Sequence, residues 1–449
     1  MTEAETLCDR LLAAGLDPAE TEAKRRLLHR VVERWHRDVG SEVSGGWWVP
    51  GRLEVFGTHT DYAGGRSLVA PVPRGLAFLT SARRDRVIRV IDAGDDDQEA
   101  VGTISLDQQP TRFRGWRHYV EVTAARLARN FPGSALGADI VFASDLPRAA
   151  GMSSSSALVV GIATALAHTG GLRARIEWQR AVRSPIDEAG YLACVENGRT
   201  FDQLAGDAGV GTHGGSEDHA AMLAGTAGAC TAFAFVPLRH LHTIALPAAW
   251  TVVVATSGIG AHKTGTERDA FNRLSSGTTA LLELWNAHEP SHGSLASALD
   301  SSPAAPATLR ELVRLSSVPG WPAAALQDRL DHFAREDARV GASMAAMSET
   351  DAGSLGRLAA ESQADSEGLL NNQVPETSAL VRLAVEAGAI AARSFGAGFG
   401  GSVWAIVHAG DAPWFARQWM SAYHAAFPGT ATRSMAFGAN PGPPVTRLW

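Results

Sequence analysis

The loop after an apolar run near the start of the chain carries three polar side chains within four positions. In the stretch VFGTHTDYAGGRSLVAPV, which begins at Val55, His59, Asp61 and Tyr62 precede a pair of glycines. A turn needs the glycines, but it has no structural need for an imidazole, a carboxylate and a phenol together. We therefore expect this loop to hold a polar ligand.

A run of serines precedes an apolar helical stretch in DLPRAAGMSSSSALVVGIATALA, from Asp145 to Ala167. The first backbone N–H groups of a helix have no partner inside the helix, and the helix dipole adds positive potential, so this turn could bind phosphate. The serine hydroxyls could donate to phosphate oxygens or ligate Mg²⁺. They could equally be N-capping residues that bind nothing. This stretch alone favours neither interpretation.

Two acidic residues follow a glycine pair in VGTHGGSEDHAAMLAG, from Val210 to Gly225. Glu217 and Asp218 would lie at the start of a helix, where acids often act as caps that suit the dipole. The alternative is that one of them is a general base at a loop-to-helix junction.

A glycine-rich loop precedes a strand-like run in SFGAGFGGSVWAIV, from Ser394 to Val407. A plain turn needs one or two glycines, and this loop has four, so we expect it to lie against something that leaves no room for side chains.

Composition limits the classes of protein to consider. A chain of 449 residues with 45% hydrophobic and 19% charged residues is typical of a globular protein with two domains. The net charge of −7 provides no basic surface for nucleic acid. No apolar run is long enough to span a membrane, and residues 1–30 form an amphipathic charged stretch unlike a signal peptide. We expect a cytoplasmic protein that binds neither nucleic acid nor membrane.

Hydrophobic periodicity predicts an α+β protein, with helices on one face of a sheet. The predicted helices are Glu20–Val39, Trp116–Asn130 and Ala324–Met347. The predicted strands are Leu53–Phe56, Leu76–Thr80, Val87–Ile91, Thr103–Leu106, Ala138–Phe142, Ala229–Phe235 and Trp250–Ala255. His288–Thr308, rich in Ser, Ala and Pro, is predicted to be a loop or an insertion. We place the boundary between the domains after Ala224, which gives domains of residues 1–224 and 225–449.

In this order, the four stretches resemble the GHMP kinase superfamily, and within it the galactokinase-like sugar kinases. PGRLEVFGTHTDYAGG is similar to the galactokinase signature Gly-Arg-Val-Asn-Leu-Ile-Gly-Glu-His-Thr-Asp-Tyr-Asn-Gly-Gly. GMSSSSA resembles the phosphate-binding Gly-Leu-Ser-Ser-Ser-Ala, and GAGFGGS resembles the C-terminal glycine motif. The resemblance implies an N-terminal α+β domain and a C-terminal ferredoxin-like domain with the active site between them. It also implies an ATP-dependent sugar 1-kinase that uses Mg²⁺.

The resemblance assigns a role to each matching position. Asp218 would be the base for the anomeric hydroxyl of the sugar, and Arg52 would orient that base and offset developing charge. Glu217 is an alternative to Asp218. The sugar-binding residues would be Thr58, His59, Asp61, Tyr62, Gly215 and Gly398. The ATP phosphates would lie against Gly151, Ser153, Ser154, Ser155 and Ser156, with Ser155 and Glu196 as magnesium ligands.

Thr58 departs from the signature, because galactokinases have a glutamate there that accepts a hydrogen bond from the C6 hydroxyl of the sugar. Losing this carboxylate removes a strong acceptor and also removes repulsion toward an anionic group. We therefore predict a galactose-like sugar altered at or beyond C6, such as a uronic acid or a sugar with an extended chain. If a water or a neighbouring side chain replaces the glutamate, galactose itself remains the substrate.

Two other functions have to be considered. A non-catalytic sugar sensor of the galactokinase type would not need the serine motif, Arg52 and Asp218, all of which are retained. A kinase or decarboxylase of the mevalonate pathway would have no use for the HTDYAGG loop, because its substrates lack the sugar hydroxyls that this loop would bind. The oligomeric state is not predictable from the sequence.

Overall fold

The computed structural model describes residues 2–94, 101–107, 113–260, 265–289 and 292–449. The strands are β1 Gly45–Phe56, β2 Arg66–Ala82, β3 Val87–Asp92, β4 Val101–Ser105, β5 Ala138–Ser144, β6 Ala229–Ala234, β7 Arg239–Ala245, β8 Trp250–Thr256, β9 Ala391–Phe395, β10 Ser402–His408, β11 Ala436–Gly438 and β12 Thr446–Arg447. The helices are α1 Glu3–Ala13, α2 Pro18–Asp38, α3 Trp116–Asn130, α4 Ser154–Thr169, α5 Ile176–Ala181, α6 Pro185–Asn197, α7 Glu217–Ala224, α8 Gly265–His288, α9 Leu295–Leu299, α10 Ala305–Leu315, α11 Ala323–Ser348, α12 Ala352–Asp365, α13 Pro375–Glu386 and α14 Ala412–Ala426. No helix among these described ranges combines the length and the apolar composition that a membrane span requires.

The larger sheet has the strand order β12-β1-β2-β5-β3-β4, with β6 paired to β2 and β7 paired to β6. Successive side chains of a strand point to opposite faces, so Trp47 and Trp48 of β1 enter different cores. The core on one face includes α3 and α4, and the core on the other includes α1 and α2. The prediction of helices on only one face is therefore wrong, because β1 and β2 are buried on both sides.

The smaller sheet is antiparallel, with the order β11-β8-β10-β9. Helices α13 and α14 pack on it through Leu380, Trp419 and Tyr423. Helix α12 contacts β9, and α11 packs against α12 and also contacts β1, β2 and β7, so the two helices connect the two sheets. This mixed α+β architecture with a ferredoxin-like C-terminal sheet is the one predicted.

The change from one sheet to the other lies beyond Ala224, and the division into domains of residues 1–224 and 225–449 stays a prediction. Strands β6 and β7 follow Ala224, but they extend the larger sheet, and β12 returns to pair with β1. The change from one sheet to the other falls between Ala245 and Trp250. A boundary after Ala224 would separate β6 and β7 from the sheet that they complete.

The predicted elements differ from the observed ones where proline and short helices are involved. Leu53–Phe56 and Leu76–Thr80 are parts of the much longer β1 and β2, whose pairing continues through register shifts near Pro50. The segment His288–Thr308, predicted to be a loop or an insertion, contains α9 and the start of α10, so a loop is wrong for those residues. Residues 290–291 of this segment lie outside the described residues. A capping box at Ser294 starts α9, and apolar residues of α10 are buried against neighbouring helices.

Candidate active site

A cleft of about 560 Å³, including its open mouth, lies where β1, the loop after it, the start of α4, helix α7 and the glycine-rich loop meet. The described residues that line it are Arg52, Glu54, His59, Asp61, Tyr62, Ser156, Ala193, Glu196, Asn197, Thr212, Gly214, Gly215, Glu217, Asp218, His219, Phe271, Gly396 and Ala397. All four stretches singled out in the sequence contribute to this one cleft.

Arg52 of β1 is the positive centre of the cleft and is only 6% exposed. Its Nε lies 2.8 Å from Asp218 Oδ1 and 2.9 Å from Glu217 Oε1, and its Nη2 lies 3.3 Å from Glu54 Oε2. Its Nη1 donates to the carbonyl of Gly151 at 3.2 Å. Burial lowers the pKa of Arg52, but the surrounding carboxylates outweigh burial and leave the pKa above its ordinary value. The guanidinium thus joins the sugar-signature strand, α7 and the serine loop.

Asp218 is the second residue of α7 and faces the serine motif. Its Oδ1 pairs with Arg52, and its Oδ2 accepts a hydrogen bond from Ser156 Oγ at 3.2 Å. These contacts fix both carboxylate oxygens at the rim of the cleft, and Ser156 belongs to the first turn of α4. A carboxylate fixed in this way can orient a substrate hydroxyl and accept its proton.

Glu217, the alternative base, is held differently. Its Oε2 accepts a hydrogen bond from Ser67 Oγ of β2 at 2.8 Å, while its Oε1 contacts Arg52. Burial, together with the neighbouring acids, raises the pKa of Glu217 well above its ordinary value. Glu217 is therefore directed toward the sheet, and Asp218 toward the serine motif.

Asp61 lies opposite α7 and accepts hydrogen bonds from two backbone amides. Its Oδ1 accepts from the N–H of Tyr62 at 2.8 Å, and its Oδ2 accepts from the N–H of Glu217 at 3.2 Å. Burial raises the pKa of Asp61 to about 6. Gly215 is required beside it, because a Cβ at position 215 would lie 2.2 Å from Asp61 Oδ2.

His59 and Tyr62 form a chain of polar contacts along one wall. Arg329 Nη2 donates to Tyr62 Oη at 3.0 Å, Tyr62 Oη lies 3.0 Å from His59 Nδ1, and His59 Nε2 lies 3.2 Å from the carbonyl of Ala397. Tyr62 can therefore donate to Nδ1 while the Nε2 hydrogen of His59 is donated to Ala397. The ring of Phe271 lies against the imidazole, 5.6 Å between centroids, and provides an apolar surface in this wall.

Thr58 and Gly398, both expected to bind substrate, are not among the described residues that line the cleft. The Thr58 hydroxyl is buried behind the wall, where it accepts from Arg393 Nη2 and donates to Glu54 Oε1. Gly398 has a φ of +81°, and a Cβ there would lie 2.3 Å from the carbonyl of Asn372. Glu54 lines the cleft and was missed in the sequence. The available signal was its place in the signature, where galactokinases have asparagine.

The serine motif leads through a turn into the N-terminus of α4. Gly151 and Ser153 have left-handed φ angles of +72° and +59°. Ser153 occupies the N-cap position of α4, but its side chain makes no capping hydrogen bond, so the capping interpretation does not account for this serine. The glycine-rich loop covers the turn closely, because a Cβ at Gly396 would lie 2.8 Å from the carbonyl of Gly151.

Of the two residues expected to bind magnesium, Glu196 is among the described residues that line the cleft, whereas Ser155 is not. Glu196 of α6 lines the cleft, and its Oε2 lies 3.3 Å from His219 Nε2. Within the described ranges, no group of three or more His, Cys, Asp or Glu side chains could hold a metal ion.

Comparisons with known proteins agree with this arrangement. The family model of the galactokinase galactose-binding signature matches residues 33–82. The model of the GHMP kinases N terminal domain matches residues 118–182, and the model of the GHMP kinases C terminal matches residues 343–425.

The chain is similar along most of its length to proteins named galactokinase. It is 29% identical over 387 residues to the galactokinase of Roseiflexus sp. (strain RS-1), covering 85% of this chain and 88% of that protein. The galactokinase of Streptomyces coelicolor is 28% identical over 387 residues, covering 84% and 88%. The crystal structure of Lactococcus lactis galactokinase complexed with galactose has the same fold, with a TM-score of 0.76, 20% identity, and coverage of 93% of this chain and 99% of that one. The three matched models occur in the order of the superfamily, and the chain belongs to the galactokinase-like sugar kinases of the GHMP kinase superfamily.

Proposed function

We propose that this protein transfers the γ-phosphoryl group of ATP to the anomeric hydroxyl of a neutral, galactose-like sugar. The observation that carries the proposal is the contact of Asp218 with both Arg52 and Ser156. It joins the base candidate to the sugar signature on one side and to the phosphate-binding turn on the other. An acceptor hydroxyl at Asp218 would therefore lie next to the phosphates of ATP.

The residues supply what phosphoryl transfer requires of a protein. Such transfer depends mainly on positioning and on electrostatic stabilisation of the developing charge. Asp218 orients the anomeric hydroxyl and accepts its proton. Arg52 holds Asp218 in place and offsets negative charge at the reacting oxygens.

The nucleotide would bind at the N-terminus of α4. Gly151, Ser153, Ser154, Ser155 and Ser156 offer backbone N–H groups, hydroxyls and the helix dipole to the phosphates. Members of the superfamily use ATP, generally with Mg²⁺, and Ser155 and Glu196 are the residues proposed to hold the ion. When bound, Mg²⁺ neutralises phosphate charge.

The sugar would bind against Asp61, Tyr62, His59 and Gly215, and the charge of the cleft favours a neutral sugar. Arg52 is the one lysine or arginine among the described lining residues, whereas five of those residues are Asp or Glu. A uronate would add a further negative charge to this acidic cleft, so a uronic acid is disfavoured. Galactose is the first candidate because the relatives are named galactokinases, and a neutral change at C6 stays a prediction.

An ADP-release assay with ATP and Mg²⁺ tests the proposal. The panel is galactose, 6-deoxygalactose, galacturonic acid and a galactose analogue with a longer chain at C6, and Asp218→Asn serves as the inactive control. We expect ADP release with a neutral sugar, and ³¹P NMR should identify a sugar 1-phosphate. Sugar binding without ADP release would instead indicate a non-catalytic sensor, and a preference for galacturonic acid would contradict a neutral substrate.

A further inference from the structure

Glu54 is a carboxylate of the sugar cleft to which the proposed phosphoryl transfer assigns no role. It lies two residues after Arg52 on β1, so both side chains leave the same face of the strand. It is 2% exposed and lines the cleft. A glutamate buried to this degree is rare unless it is paired, and one that also faces a ligand cleft is well placed to bind ligand.

The carboxylate of Glu54 is fixed from behind. Its Oε1 accepts a hydrogen bond from the Thr58 hydroxyl, and Arg393 Nη2 lies 3.7 Å from the same oxygen. Arg393 of β9 is fully buried, and its Nη1 is anchored by Glu336 at 2.7 Å. Glu54 Oε2 lies 3.3 Å from Arg52 Nη2 on the cleft side. Because two arginines and a hydroxyl hold the group, a sugar hydroxyl would meet an acceptor that is already oriented.

This chain differs from the galactokinase signature at two positions whose side chains are in contact. The signature has asparagine at position 54 and glutamate at position 58, whereas this chain has Glu54 and Thr58. The Thr58 hydroxyl donates a hydrogen bond to Glu54, so the carboxylate of this chain lies directly beside the side chain at position 58. The carboxylate of Glu54 therefore lies next to the position at which the signature has glutamate and this chain has threonine.

We propose that Glu54 is a specificity-determining residue that accepts a hydrogen bond from a sugar hydroxyl other than the reacting one, and that this is the C6 hydroxyl. The inference rests on the proposed function, because it concerns how that site selects its sugar. It assigns to Glu54 the task expected of an acid at position 58, and it makes a C6 hydroxyl a feature that the enzyme requires.

The test compares kcat/KM for galactose and for its 2-deoxy and 6-deoxy analogues in the wild type and in Glu54→Gln. A site built around a hydrogen bond to a charged acceptor should favour galactose over 6-deoxygalactose by about tenfold or more. In Glu54→Gln this ratio should fall close to one, mainly through the KM for galactose, while the ratio of galactose to 2-deoxygalactose stays as in the wild type. An equal loss for all three sugars would overturn the inference, as would a wild type that does not distinguish galactose from 6-deoxygalactose.

Two further variants separate binding from folding. Glu54→Asn combined with Thr58→Glu returns the acid to position 58, and it should restore the preference for the C6 hydroxyl that Glu54→Asn alone loses. Glu336→Gln is the matched control, because this buried glutamate contacts the same Arg393 but is not among the described residues lining the cleft. It should lower the thermal unfolding temperature and leave the galactose to 6-deoxygalactose ratio unchanged.

The outcomes distinguish this inference from the proposed function. If the wild type phosphorylates none of these sugars and also fails to phosphorylate the analogue with a longer chain at C6, the proposed function fails. If it phosphorylates galactose and Glu336→Gln abolishes the C6 preference as completely as Glu54→Gln does, only the assignment of Glu54 fails.

Discussion

Replacing Asp218 with asparagine tests the proposed base with little disturbance of the fold. The amide keeps the shape of the carboxylate, so its oxygen can still accept from Arg52 Nε while its NH₂ group donates to Ser156 Oγ. Arg52 also retains Glu217 at 2.9 Å and Glu54 at 3.3 Å, so no buried charge is left alone. We therefore expect the free energy of unfolding to change by less than about 1 kcal/mol.

The chemical step should be affected far more than the fold. A positioned general base typically contributes 10²- to 10⁴-fold to the rate, which corresponds to about 3–5 kcal/mol in the barrier. We expect Asp218→Asn to lower kcat by a factor within this range. The affinity for Mg·ATP should stay unchanged, because the asparagine can still hold Ser156 in place.

Three measurements check this reasoning: ADP release at saturating ATP and sugar, calorimetric titration with Mg·ATP, and thermal unfolding. Glu217→Gln is the matched control, because Glu217 contacts the same Arg52 nitrogen but directs its other oxygen to Ser67. It should retain more turnover than Asp218→Asn by at least about tenfold. If Asp218→Asn keeps near wild-type turnover, or if Glu217→Gln is the more severe change, Asp218 is not the base.

Three more predictions concern the nucleotide, the sugar and pH. Ser155→Ala should weaken the apparent affinity for Mg·ATP more than that for the sugar in steady-state kinetics, and an unchanged KM for Mg·ATP would count against Ser155 as a ligand. Gly215→Ala places a Cβ 2.2 Å from Asp61 Oδ2, so the displaced carboxylate should raise the KM for the sugar by about tenfold or more, and an unaltered KM would remove Asp61 from the sugar site. The pKa of Asp61 is raised to about 6, so protonation as pH falls through 6 should decrease kcat/KM for the sugar, and a pH profile of Asp61→Asn that keeps this decrease would assign it to another group.

The sequence predicted the parts of the site that depend on local chemistry. Arg52, Asp218 and the serines were expected to act together, and the structure brings Arg52, Asp218 and Ser156 into direct contact. The serine stretch alone favoured neither phosphate binding nor helix capping, and the prediction became specific because all four stretches occur in the order of one superfamily.

The contacts that cross the fold were not predictable from the sequence. Thr58 was expected to face the sugar, but the chain bends at Gly57, which has a φ of +103°, and the Thr58 hydroxyl meets Glu54 and Arg393 behind the wall. Arg393 comes from a strand more than 300 residues away in the chain, a separation of 335 from Thr58. No periodicity or spacing of residues near position 58 could have predicted its contact with Arg393.

The length of β1 and the short helix α9 were missed for a different physical reason. Pro50 and the proline-containing segment of β2 interrupt the apolar alternation that indicates a strand, yet bulges allow pairing to continue past them. Helix α9 has only five residues, and it depends on a capping box at Ser294 and on burial of Leu295 rather than on intrinsic propensity.

The contact of Thr58 with both Glu54 and Arg393 constrains the order of two substitutions, asparagine to glutamate at position 54 and glutamate to threonine at position 58. One substitution at a time leads through an ancestor with acids at both positions or through an ancestor with an acid at neither. The first keeps a carboxylate beside the buried Arg393, whereas the second leaves that guanidinium with Glu336 as its remaining acidic contact among those described here. Descent through the two-acid ancestor is therefore the less costly path. Recombination between positions 54 and 58 of this chain and of a relative should therefore be tolerated better when it leaves an acid at both positions than when it leaves an acid at neither.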